Sequence, residues 1–70
     1  MTRYLVVYER TNTGYSAYVP DLPGCIATAS TKKSIEKNIY ESILFHLDGL
    51  KDEGLAIPQS KSESEVLVFA

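Results

Sequence analysis

The 70-residue chain has a net charge of −2, an isoelectric point near 5.2 and 44% hydrophobic residues, a composition that makes one folded domain and excludes a disordered or fibrous chain. Its acidity argues against gripping a phosphate backbone unaided and favours a basic protein partner; a single cysteine excludes an intrachain disulfide framework. With no secretory leader and no apolar run long enough to span a bilayer, the expected compartment is the cytoplasm, without membrane attachment. A domain this small buries only about 60% of the surface that its unfolded chain exposes, so a homodimer or higher homo-oligomer is the expected state.

Residues 3–9, Arg-Tyr-Leu-Val-Val-Tyr-Glu, read as a strand apolar on both faces, with Tyr4, Val6 and Tyr8 on one side and Leu5 and Val7 on the other. Such a strand belongs in the middle of a sheet. Thr11-Asn12-Thr13-Gly14 supplies turn chemistry, and Tyr15–Val19 returns as the second strand of a hairpin, with Tyr15, Ala17 and Val19 on one face and Ser16 and Tyr18 on the other. The stretch Val19-Pro20-Asp21-Leu22-Pro23-Gly24-Cys25 predicts a rigid corner. Pro20 and Pro23 hold φ near −65°, Gly24 is free to take a positive φ, and both residues that precede a proline are biased away from helix. Cys25–Ala29 is then a short third strand of small residues.

From Thr31 the period changes. Ile35, Ile39, Ile43, Leu47 and Leu50 recur at spacings of four and three, which predicts one amphipathic helix near residues 32–53, with Thr31 as N-cap and Gly54 as its stop. Gly49 costs such a helix about 1 kcal/mol relative to alanine, which points to close packing there or to weakening towards the helix end. A polar loop over residues 59–64 follows, and Glu65–Phe69 regains strand composition. The expected fold is α+β: β-β-β-α-β, one long helix packed on a small, mostly antiparallel sheet. A right-handed crossover places the last strand beside the first, in sheet order 3-2-1-4. One helix covers one face, so the other face and the Val66–Phe69 edge are left apolar and exposed, which calls for a partner.

Catalytic constellations are weak. His46 is the only histidine and flanks the helix stripe, and Cys25 has no second cysteine beside it, so both read as structural residues. Asp48 and Asp52 share a helix face, as an ordinary solvated surface also provides. Lys32 and Lys33 oppose the helix macrodipole at its start. Tyr4, Tyr8, Tyr15 and Tyr18 suit core packing better than base stacking, because the positively charged groove that stacking surfaces need is missing from this composition. No catalytic, cofactor or metal site is expected.

Gly14-Tyr15, the Val19–Cys25 corner, the threonine-started helix and Leu50-Lys51-Asp52-Glu53-Gly54-Leu55-Ala56-Ile57-Pro58 together resemble the HicB family, the antitoxins of type II HicA-HicB toxin-antitoxin systems. The resemblance implies a degenerate RNase H-like fold without nuclease chemistry. It also implies a partner, a small basic HicA-like toxin acting as an mRNA interferase, whose RNA-facing surface the antitoxin masks. Members of the family often carry acidic residues in the first helical turn, where this chain has Lys32 and Lys33. Many continue into a DNA-binding domain, whereas this sequence stops at Ala70, so a short form without DNA binding by this chain alone is expected.

The expected function is therefore a non-enzymatic, HicB-like antitoxin that neutralises its toxin by occlusion. Tyr18, Asp21, Leu22, Val66 and Val68 are the candidate partner-binding residues, and Pro20, Pro23 and Gly24 the structural turn. For Asp21 the favoured role is capping the turn by accepting backbone N–H groups, with an outward place on the partner surface as the alternative. Two other functions compete: a residual RNase H-like, metal-dependent nuclease using Glu9 and Asp21 with helix carboxylates, and a stand-alone module holding a small molecule against the tyrosine-lined face.

Overall fold

The computed structural model describes residues 2–70. Strand β1 (Val7–Thr11) and strand β2 (Gly14–Tyr18) form an antiparallel hairpin, strand β3 (Ile26–Ala29) pairs antiparallel with β2, and helix α1 (Lys32–Asp52) packs across β2 and β3. The class is α+β, as the period change at Thr31 predicts.

Register decides which residues meet the helix. Tyr8, Ala17 and Ala27 are cross-strand partners on one face, and Arg10, Tyr15 and Ala29 are the next row on that face. Ala17 and Val19 are buried there with Leu22, Cys25, Ile35 and Ile39, while Tyr4, Val6, Tyr15, Ala27, Ala29, Ile43 and Leu47 pack around them. Small alanines at the centre let the helix approach the sheet closely. Asn38 strengthens the seam, its side-chain amide donating to the Thr28 carbonyl at 3.3 Å.

Helix α1 begins where Thr31 takes an extended backbone and its Oγ1 accepts the Ser34 N–H at 3.1 Å, the geometry of an N-cap. Lys32 spans two contacts, an i,i+4 pair with Glu36 at 3.4 Å and a position 4.6 Å above the Tyr8 ring, which accounts for a cation at a helix start. Nothing in the structure explains Lys33. A 21-residue helix is about 31 Å long, whereas five-residue strands run about 17 Å, so the sheet covers the first half better than the second. Ile35 and Ile39 are accordingly buried, while Ile43, Leu47 and Leu50 on the same stripe are only half-buried.

The structure departs from the sequence reading in the sheet. Among the described residues it has three strands in the order β1-β2-β3, not the four-strand order 3-2-1-4, and β1 is an edge rather than a central strand. The first strand starts at Val7 instead of Arg3 because β2 stops pairing at Tyr18, just before the corner, and leaves residues 3–6 without a ladder partner. Residues 65–69 form no strand, because the preceding segment is held elsewhere. The Tyr4 hydroxyl donates to the Pro58 carbonyl, and the Asp21 carboxylate accepts the N–H groups of Lys61 and Ser62. Tyr4 precedes β1 and Asp21 follows β2, so both stand at the same end of the sheet. The strap from Ile57 to Ser62 crosses that end, and the residues after it leave the body of the protein.

Candidate protein-interaction surface

The Val19–Cys25 corner is built from two consecutive four-residue turns. The Leu22 N–H donates to the Val19 carbonyl at 3.0 Å, the Cys25 N–H donates to the Leu22 carbonyl at 3.1 Å, and the Val19 N–H closes the loop on the Cys25 carbonyl at 3.2 Å. Pro20 and Pro23 each occupy the second position of a turn. Gly24 has φ +83°, the value that the third position of a type II turn requires and that a side chain resists. This geometry drives Leu22 inward until none of it is exposed, and Cys25 follows it, with Sγ 3.6 Å from Ser42 Oγ on the helix.

Asp21 is the polar residue at the tip. Its Oδ2 accepts two backbone N–H bonds, from Lys61 and Ser62 at 3.0 Å each, and its Oδ1 accepts the Ser62 hydroxyl at 2.9 Å. The N–H groups of Ser62 and then of Lys61 hold its carboxyl below the ordinary value of 3.8, against the opposing effect of burial. Asp21 thus caps backbone amides as the sequence suggests, but those of a strap some forty residues away and not those of its own turn.

Two faces remain open. Opposite the helix, the sheet presents the row Val7, Tyr18 and Ile26 and the row Glu9, Ser16 and Thr28, with Tyr18 and Ile26 exposed. On the outer side of α1, Glu41, Phe45, Asp48 and Asp52 follow the i, i+4, i+7, i+11 spacing of one helix face, and Phe45 is 82% exposed among those carboxylates. The sequence reading missed Phe45. Its signal was available: it is an aromatic residue well off the Ile35–Leu50 stripe, in register with three acids.

Of the candidate partner-binding residues, Tyr18 lies on the open sheet face, Val66 and Val68 are almost fully exposed on the projecting tail, and Asp21 and Leu22 are buried. The structure does not bring these five together, and Leu22 offers no surface to a partner. Glu9 sits on the open face while Asp21 is engaged under the strap. Among the described residues, no three His, Cys, Asp or Glu side chains converge where they would hold a metal ion. The larger groove described, about 660 Å³, runs between Thr2, Arg3 and the strap, and no tyrosine is among its lining residues. Among the described residues no helix is long and apolar enough to cross a membrane.

The family model of the HicB-like antitoxins of bacterial toxin-antitoxin systems matches residues 4–68. The chain belongs to the HicB-like antitoxin family. A solved chain from the HicA3 and HicB3 toxin-antitoxin complex superimposes on this HicB-like chain with a TM-score of 0.72 at 32% identity, over 84% of this chain and 70% of that one. A 14.9 kDa protein from the rep-hol intergenic region of Haemophilus phage HP1 is 35% identical over 57 residues. That match takes in 81% of this HicB-like chain but 43% of the phage protein, so the chain spans less than half of that relative's length. A UPF0150 protein of Helicobacter pylori strain J99 is 34% identical over 56 residues, 80% of this chain and 78% of that protein.

Proposed function

We propose that this HicB-like chain is a non-enzymatic antitoxin that binds a small basic HicA-like mRNA interferase in the cytoplasm and silences it by covering its RNA-facing surface, using a degenerate RNase H-like scaffold without nuclease chemistry. The observation that carries this reading is the match, in sequence and in shape together, to a chain solved in a HicA3 and HicB3 complex.

The surface we assign to the toxin is the outer face of α1. Phe45 supplies an aromatic anchor, and Glu41, Asp48 and Asp52 supply an acidic rim around it. Interfaces draw much of their energy from a few such anchors, and charge complementarity at the rim raises the association rate with a basic partner. Tyr18 on the open sheet face is a second contact. Asp21 and Leu22 serve the partner indirectly by holding the strap and the corner in place. A second copy of the chain is the other partner proposed.

Co-expression with a HicA-like toxin encoded beside this chain tests the reading. The expected result is a purified complex and relief of toxin-induced growth arrest, with affinity falling as salt rises. The variant Phe45→Asp is expected to weaken the complex at least tenfold while the free protein melts as before. Absence of both complex and relief overturns the antitoxin reading, and an unaffected Phe45→Asp complex overturns the assigned surface.

A further inference from the structure

Two parts of this chain are left unpaired, and they match each other. Among the described residues the outer edge of β1 has no neighbour, since β1 pairs with β2 alone. The tail has strand composition and no ladder, and its apolar residues stand in solvent: Val66 is 89% exposed, Leu67 65%, Val68 91% and Phe69 84%. A free edge and a free apolar strand are each an association liability unless something covers them. The tail also extends away from its own body. The molecule measures 47 × 26 × 19 Å, with a radius of gyration of 13.6 Å, against about 11 Å for a compact chain of this length.

We propose that Glu65–Phe69 is a donated strand: the tail of one copy adds to the outer edge of β1 in a second copy, and the exchange is reciprocal, so that each copy supplies the fourth strand of the other's sheet. The two-fold arrangement leaves neither copy with a bare tail or a bare β1 edge. The charges fit a second copy of this chain. The tail opens with Glu63 and Glu65 and is uncharged beyond, while residues 4–8 are uncharged, with Arg3 before them and Glu9 and Arg10 after them. In the antiparallel pairing that runs along β1, Glu65 falls opposite Arg10 and Val66 opposite Glu9, and Leu67, Val68 and Phe69 lie along Tyr8, Val7 and Val6; a parallel pairing sets Glu65 opposite Arg3 but reaches β1 only at Val7. In the antiparallel register, Leu67 and Phe69 stand beside Tyr8 and Val6 on the helix side of the sheet, and Val66 and Val68 stand beside Glu9 and Val7 on the open face. Two tails and their two acceptor edges remove on the order of 1,500 Å² from water, the size of a specific interface. Asp21 contributes by fixing Lys61 and Ser62, so that the donated segment starts from a defined anchor.

The full chain without toxin tests this by sedimentation equilibrium at micromolar concentration. Twice the monomer mass is expected. The variant Val68→Pro, which removes a ladder donor from an exposed residue, is expected to shift the mass to monomer with at least a tenfold weaker association and an unchanged helix signal in circular dichroism. Glu65→Lys is expected to weaken association to a smaller degree, and more so at low salt. Mixing a Val68→Cys copy with a copy carrying either Val6→Cys or Val7→Cys then asks where the strand lies, because each copy holds only one of the two thiols. A disulfide-linked pair of unlike copies is expected with at least one of the two. A monomer at all concentrations, a dimer that survives Val68→Pro, or crosslinks that form only within one chain carrying both cysteines would each overturn the exchange. Toxin binding can fail in a dimer that passes these measurements, so the two readings fall separately.

Discussion

Asp21 and Ser62, 41 residues apart, are joined by two hydrogen bonds: the Ser62 N–H donates to Asp21 Oδ2 at 3.0 Å and the Ser62 hydroxyl to Oδ1 at 2.9 Å. With the Lys61 N–H on the same oxygen, this one carboxylate ties the segment after the helix to the corner between β2 and β3. The variant Asp21→Ala leaves the sheet and helix hydrogen bonds intact and removes these three. Amide hydrogen exchange is expected to show Lys61 and Ser62 losing protection while the amides of Ala17 and Ile39 keep theirs. Equal loss across all four would mean that the strap and the core are one cooperative unit.

Acid acts on the same tie. The carboxyl of Asp21 titrates below its ordinary value in the folded protein, so the unfolded state takes up a proton first as pH falls. The stabilisation is therefore complete above the ordinary aspartate range and is lost as pH drops through the lower, folded value. Protection of the Ser62 amide is expected to hold at neutral pH and to fall away below about pH 4. In Asp21→Asn, which cannot ionise, that transition is expected to be absent.

Two glycines have opposite prospects. A Cβ on Gly14 would meet the Ala29 carbonyl oxygen at the end of β3 and stand 2.6 Å from Cα of Ser30, the residue after it, and Gly14 has φ +156°. Gly14→Ala must push β3 away and is expected to cost about 1–3 kcal/mol in urea unfolding. Gly49 lies in α1 with open space where its Cβ would be, so close packing is not the reason for it. Gly49→Ala is expected to stabilise the protein by about 0.5–1 kcal/mol and raise its Tm by roughly 4–8 °C per kcal/mol.

Leu22 and Phe45 separate core from surface. Leu22 is fully buried at the hub of the corner, so Leu22→Ala is expected to cost about 2–5 kcal/mol. A domain of this length holds only about 4–10 kcal/mol in all. Phe45→Ala is expected to stay within about 0.5 kcal/mol of the parent in the same thermal melts, because the ring touches little of its own chain.

Sequence pattern by itself determined the local elements: the hairpin, the proline-glycine corner and the helix from its Thr31 cap. Side-chain periodicity and the restricted φ of proline and glycine act over a few residues and leave few alternatives. It also determined much of the inward set, since Ala17 follows from the period of two, which Val19 continues, and Ile35 and Ile39 follow from the period of 3.6, whereas the two turns of the corner carried Leu22 and Cys25 inward. Only the tertiary structure decided the fate of the last fifteen residues. Val66–Phe69 have the composition of a strand, but a strand needs an edge within reach, and reach depends on long-range bonds from Tyr4 and Asp21 that no local pattern announces. The same holds for Phe45. Its spacing with Glu41, Asp48 and Asp52 was legible, yet its exposure followed only once the sheet had taken the opposite side of the helix.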